Sequence, residues 1–278
     1  MKHSTLPKSY SEQFGKMLWD VSQEPRLHNR EFTTFWPMRG EHFTPTIGLM
    51  VVGRAVNKWT KESWSLTDLQ NDEKRADLVQ GVRELSESEA QDRWKYHADH
   101  TVNIRKELEI HRRGSACPLS WVVKSSGPSK GKYNTNRSQF WALNKRILTK
   151  IHKWSETPET WSSYMCWSNL YKVATYGGGN PTKRCQIAQR NACFELLRME
   201  IEEWQPKYVL LLTGCDWSRP FLDHFGVECK SKNSASSQRS HVMTQGKRGK
   251  QTWIVAHHQQ GRKLGDFTNQ VVQNLDLE

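Results

Sequence analysis

The sequence predicts an α/β fold: a three-layer αβα sandwich with a central four-stranded, mainly parallel sheet and a helical insertion. Three observations carry this expectation. Short apolar runs alternate with stretches of helical periodicity, polar groups collect at the ends of three of those runs, and one long charged stretch interrupts the alternation. Strands that alternate with helices build a parallel sheet covered on both faces. Such sheets bind ligands at their carboxyl edge.

Taken in order, Thr46–Gly53 (TIGLMVVG) is a short apolar run ending in Gly and reads as the first strand. Thr60–Gly114 is highly charged, with apolar residues thinly spread, and reads as a helical insertion that extends to about residue 134. Ser138–Trp154 sets Phe140, Leu143, Ile147, Ile151 and Trp154 three or four residues apart, the spacing of one helix face. Met165–Lys172 (MCWSNLYK) is a mixed strand whose polar residues come at its end. Cys185–Trp204 repeats the helical spacing with Ile187, Phe194, Leu197, Ile201 and Trp204, and Pro206 stops it. Tyr208–Gly214 (YVLLLTG) is continuously apolar, as a strand covered on both faces should be. Thr252–His257 (TWIVAH) is the last such run and ends in histidine. No internal repeat or linker divides the 278 residues, which read as a single domain.

The chain carries 41 Lys+Arg against 29 Asp+Glu, a formal charge of +12 and a pI near 9.5. Nucleic acid is the commonest partner for such a surface, and an anionic membrane the second. A mean hydropathy of -0.81, and no run near the roughly 18 apolar residues of a spanning helix, weigh against the membrane. The amino-terminal MKHSTLPKSYSEQF has no apolar core, so it does not read as a signal peptide, and a soluble intracellular protein is expected. Cys229–Lys250 holds six Lys/Arg and no acid, which makes it a flexible basic loop or hairpin at about 229–250, either merely solvated or in contact with nucleic acid. None of the six Cys forms a C-x-x-C pair, and they read as scattered reduced thiols, with no metal site. Thirteen Trp supply core area and can also stack on bases.

Three motifs stand in order at the expected strand ends. They are Gly53-Arg54-Ala55-Val56-Asn57, then Trp167-Ser168-Asn169-Leu170-Tyr171-Lys172, then His257-His258-Gln259-Gln260-Gly261-Arg262. From Asn169 the chain runs NLYK, then GGNP at Gly178–Pro181, a long helix, and QPKYVLLLTG. In this order the chain resembles the uracil-DNA glycosylase superfamily, as a divergent prokaryotic or phage-defence-type DNA glycosylase. That family has a Gly-rich turn after its first strand, an Asn ending a central strand, and a His ending a late strand before a DNA-contacting loop. The resemblance covers about 46–57 and 135–270 and leaves the insertion outside.

The resemblance implies a role for each position. An enzyme acting on a base must extrude it and read its Watson–Crick edge. The amide of Asn169 matches the residue that does so, accepting from a ring N–H and donating to a ring carbonyl; the plain alternative is a turn or cap Asn. A leaving pyrimidine builds charge on O2, and losing one fixed donor there costs roughly 3–4 kcal/mol. His257 matches that donor, unless it is simply structural. His258 stands where the family has Pro, and a one-residue shift would exchange the two histidines. Backbone N–H groups after Gly53, at Ala55 and Val56, complete the pocket. Phe140 is either the aromatic that stacks on the flipped base or plain core. His258, Gln259, Arg262 and Lys263 correspond to the minor-groove loop, with Leu264 as the wedge that fills the vacated stack. Lys247 and Arg248 are the basic-stretch cations expected on DNA.

Two departures bear on chemistry. The best-known members carry a water-positioning carboxylate in the first motif, where this chain has Arg54, Ala55 and Val56. Asn57 is then the candidate to hold the water. Strict uracil enzymes also end this motif in a Tyr that rejects a C5 methyl, and Asn57 stands at that position. A pocket discriminates one methyl by only about 1–3 kcal/mol, so a pyrimidine substituted at C5 becomes a candidate substrate beside uracil. The family's iron–sulfur branches need cysteines near the N-terminus, whereas the first here is Cys117, so no cluster is expected. Together these imply a monofunctional DNA glycosylase that leaves an abasic site. Its partner is DNA; it uses no cofactor, binds no membrane, and acts as a cytoplasmic monomer. Two other classes stay open: a non-catalytic DNA-binding module, and an RNA-binding protein using its Trp and basic stretch.

Overall fold

The computed structural model describes residues 6–55, 63–87, 117–124, 134–231 and 240–275. In chain order its elements are α1 (Lys8–Ser22), β1 (Phe32–Thr34), β2 (Met38–Arg39), β3 (Leu49–Gly53), α2 (Leu66–Gln70), α3 (Asp72–Glu87), α4 (Trp121–Lys124), α5 (Gln139–Ile151) and β4 (Met165–Asn169). There follow β5 (Val173–Thr175), α6 (Lys183–Trp204), β6 (Tyr208–Leu211), α7 (Cys215–Phe225), β7 (Glu228–Ser231), β8 (Val242–Arg248), β9 (Gln251–Ala256) and α8 (Leu264–Gln273). The fold is mixed α/β. Among the described residues no helix is long and apolar enough to cross a membrane.

The larger sheet has seven strands in the order β2-β4-β3-β6-β9-β8-β7, rather than the four expected. The four strands read from sequence are all in it, as β3, β4, β6 and β9. β3, β6 and β9 run parallel, with Val52 opposite Leu211 and Leu211 opposite Val255. β7, β8 and β9 run antiparallel. β2 escaped the sequence because two residues carry no period. β7 and β8 escaped it because they lie in the basic stretch, where few apolar residues mark a strand. Their close pairing needs Gly246, since a Cβ there would meet Glu228 O at 2.6 Å.

Packing divides the chain into two compact units. One comprises Met1–Met38, Arg54–Pro118 and Ser168–Trp204. In it α1 packs along α6, burying Tyr10, Phe14, Met17, Leu18 and Val21. Each apolar side chain so buried stabilises by roughly 1.5–3 kcal/mol. β1 and β5 pair antiparallel, and the described part of the insertion supplies helices α2 and α3. The Ser65 side chain caps α2, with Asp68 returning the bond.

The other unit comprises Arg39–Gly53, Leu119–Trp167 and Gln205–Glu278. Its parallel core is apolar: β6 is fully buried, as its unbroken apolar run requires. A tryptophan cluster fixes α5 by edge contacts, with Trp141 4.9 Å from Trp167 and 5.4 Å from Trp121. α5 also packs against α8.

Candidate active site at the strand ends

In the first unit, Asn169 ends β4, a strand buried along its whole length. Asn169 is 2% exposed, and its side-chain nitrogen has no hydrogen-bond partner. A buried donor left unpaired costs about 1–3 kcal/mol, a cost that a ligand's carbonyl would remove. The residue's main chain, by contrast, is held firmly. Lys172 Nζ donates to Asn169 O at 2.8 Å and to Ser168 Oγ at 2.7 Å, and pairs with Glu200 Oε1 at 2.7 Å. Ser168 donates to Glu200 Oε2 at 2.5 Å, and the Tyr10 hydroxyl donates to Glu200 Oε1 at 2.6 Å. The Lys172 and Glu200 side chains are both fully buried. Burial, and then the Glu200 charge, push the Tyr10 hydroxyl far above its usual range, so it remains a donor.

Gln189 of α6 fixes the segment beyond. Its Oε1 accepts from Lys172 N at 3.0 Å and Val173 N at 2.9 Å, while its Nε2 donates to Val173 O at 2.8 Å. Tyr171 N donates to Arg54 O at 3.1 Å, which ties the turn after β3 to the chain just past Asn169. Ala55 is half-buried in that turn. Val56 and Asn57 lie outside the described residues.

In the second unit, Gly53 and His257 come to the same carboxyl edge, since β3 and β9 both run parallel to β6 and Gly214 N donates to Ala256 O at 2.9 Å. His257 follows β9 directly, half-buried, and its backbone N–H donates to His241 O at 2.9 Å. Burial first, then the charges of Arg262 and His241, hold the His257 pKa below the usual histidine value. The ring is therefore neutral at pH 7 and offers one N–H. His241 is itself held in place, stacked on Phe267 at 4.8 Å and 3.2 Å from Arg262 Nη1 through its Nδ1.

The loop after His257 is built around a turn. Arg262 N donates to Gln259 O at 3.2 Å, and Gly261 takes φ 74°, which favours glycine. Gln259 is 7% exposed, with its side-chain oxygen unpartnered. His258 is half-buried; Lys263 is the exposed N-cap of α8 and Leu264 its half-buried first residue. Gln139 Oε1 accepts from Gly261 N at 2.8 Å, so the loop is tied to the first turn of α5. That turn carries Phe140, half-buried and edge-on to Trp141 at 4.9 Å.

Lys247 and Arg248 are not brought to this edge. They pair with Thr252 and Gln251, at the opposite end of β9 from His257. At about 3.3 Å per residue the separation along the strand is roughly 17 Å. Arg248 lies over the Phe225 ring at 5.3 Å.

Sequence reading missed Lys172, Glu200, Gln189 and Tyr10. A signal was present: Glu200 and Gln189 fall on the same face of α6 as Cys185, Cys193, Leu197 and Trp204. A carboxylate on an apolar stripe calls for a buried cation. Cys185 and Cys193 are free, buried thiols pushed up to about 12 by burial, hence unreactive. Among the described residues no cluster of three His, Cys, Asp or Glu could hold a metal. No family model matches this chain, and no curated protein matches it.

Proposed function

We propose that this chain is a monofunctional DNA glycosylase, which flips a pyrimidine out of DNA and hydrolyses its N-glycosidic bond to leave an abasic site. On this reading the fold is a three-layer αβα sandwich of the uracil-DNA glycosylase type, working in the cytoplasm as a monomer. The observation that carries the reading is Asn169: a buried amide at a strand end, its nitrogen unpartnered, its backbone anchored by a buried lysine. Such an amide is suited to the polar edge of an extruded base.

The chemistry follows from the other groups. As the C1′–N1 bond breaks, its electron pair passes to the base and charge gathers on O2. The N–H of neutral His257 donates there, with backbone N–H groups after Gly53. Water, which Asn57 is proposed to hold, adds to C1′, and its proton passes through solvent to the departing pyrimidine anion, which leaves as the neutral base. Phe140 stacks on the base, and the loop from His258 to Lys263 meets the minor groove with Leu264 as wedge. The substrate is a pyrimidine modified at C5, because the sequence has Asn57 where strict uracil enzymes have the Tyr that closes the wall. Glucosylated hydroxymethylcytosine of phage DNA, removed in antiviral defence, is such a base; uracil, in repair, is the alternative. A second reading, a DNA-binding module without catalysis, is favoured by one observation: Arg54 and Ala55 stand where the family's acid belongs.

The deciding experiment incubates the protein with natural and phage-modified DNAs, heats in alkali and scores strand breaks. Breaks in at least one DNA, lowered about 10²–10³-fold by Asn169→Ala, are expected. Salt-sensitive binding with no break in any DNA would leave the non-catalytic module. Asn57→Tyr should lower kcat/KM for 5-modified bases more than for uracil, and the ratio is the quantity to read.

A further inference from the structure

In the second unit, a groove of about 1140 Å³ lies between α5, the turn after it, and α8. Small-molecule pockets run to roughly 300–1,000 Å³, so its size suits an extended ligand better than a compact one. Its wall is strongly one-signed. Lys145, Arg146, Lys150 and Lys153 line it against one carboxylate, Glu159. All four cations are exposed, and among the described residues none is paired with a carboxylate. Lys145, Arg146 and Lys150 stand on α5 away from the positions that bury Leu143, Ile147, Leu148 and Ile151, and Lys153 lies in the turn just past the helix. At about 1.5 Å per residue the three on the helix extend over roughly 8 Å, about two phosphate spacings of one strand.

The far wall adds one exposed neutral hydrogen-bonding group, the Asn269 amide of α8, one turn beyond the loop that carries His257 to Lys263; Thr268 beside it is buried and its hydroxyl already donates to Leu264 O at 2.7 Å. Trp154 is also at the wall, but its ring is already stacked on His152 at 4.5 Å, which leaves less of it for bases. The chemistry offered is therefore anion binding along a line.

We propose that this groove takes the sugar–phosphate backbone of DNA, outside the positions that act on the flipped base. It rests on the glycosylase reading only in naming DNA as the nucleic acid. Several cations without a carboxylate partner, beside one neutral amide donor, would hold phosphates without reading sequence.

The test is a fluorescence-anisotropy titration of the full chain with a short unmodified duplex over a series of salt concentrations. Lys145→Glu combined with Arg146→Glu, mid-helix and exposed, should weaken binding about 10-fold or more at low salt. It should also flatten the plot of log K against log salt by about 2, at ~0.9 per phosphate. The control, Lys8→Glu with Lys16→Glu on α1, makes the same charge change on exposed residues of the other unit and should leave the slope near wild type. Circular dichroism checks that each variant is folded. A wild-type slope in the folded groove variant would overturn the proposal, as would an equal loss in the control or a groove-dependent preference for RNA over the duplex. The readout needs no chemistry, so absence of abasic product from any DNA would sink the glycosylase reading and leave the groove standing.

Discussion

Lys172 is the residue whose chemistry least resembles what its sequence position suggests. A lysine at the polar end of a strand reads as solvated, yet this one is fully buried, with Glu200, Ser168 and the Asn169 carbonyl around its ammonium. Removing one member of a buried pair leaves the other charge uncompensated and costs about 3–5 kcal/mol, whereas replacing both by apolar groups is often neutral. Lys172→Met should therefore lower unfolding stability by about that amount in denaturant titration, and Lys172→Met with Glu200→Leu should recover much of it. If the pair also positions Asn169, the double variant regains stability without regaining kcat/KM. Recovery of both would make the pair a packing device only. The strand-end positions of Asn169 and His257 were legible, because each closes a short apolar run that the structure forms as a strand. Their support was not, since a partner 28 residues away leaves no local mark. The acid limb of the rate should follow His257. Its pKa is depressed by burial and then by Arg262, so activity falls only below the usual histidine range of about 6.5. Arg262→Gln removes one depressing charge and should move that limb to higher pH; an unmoved limb would assign it to another group.

At the scale of elements, strong periods were read well and weak ones missed. α5 and α6 lie within three residues of their expected limits, because each carries several turns of apolar spacing that only a helix explains. α1 is the exception, a helix not expected from sequence although Tyr10, Phe14, Met17, Leu18 and Val21 give it the same apolar spacing. The basic stretch shows the opposite problem. Charge hides the strand, and β7–β8 is a hairpin pairing Glu228 with Lys247. That pairing decides what its cations can do. Lys247 and Arg248 lie at the end of β9 remote from His257, so Lys247→Glu with Arg248→Glu should leave the salt slope of DNA binding near wild type. Arg262→Glu with Lys263→Glu, in the loop itself, should flatten it. A hairpin variant as damaging as the loop variant would mean that DNA reaches the far end of the sheet.

For the whole molecule, pH connects the site to stability. His152, His241 and His257 all have pKa values below the usual histidine value, each chiefly because burial penalises the charged ring. As pH falls through about 6.5, the unfolded chain takes up protons that the folded chain resists. The unfolded state then binds more protons, and stability rises with pH across this window. The contribution is fully present above the unfolded value and is lost progressively as pH falls toward the lower folded values. Asp68, held to about 2 by its bonds to Lys74 and Ser65, titrates far below this window, while Asp20, raised by burial, acts in the opposite sense. Self-repulsion in a chain of charge +12 grows as the histidines protonate, in the same direction. The midpoint of thermal unfolding should therefore be lower at pH 5.5 than at pH 7.5, and His152→Phe, which keeps an aromatic ring against Trp154, should shrink the difference. On the proposed function, duplex DNA that prefers the folded chain should raise the midpoint at either pH, by at most the equivalent of about 2.7 kcal/mol at a hundred times Kd. A midpoint higher at pH 5.5 would mean that these rings gain partners on protonation, which would reverse the sign argued for His257 at the strand end.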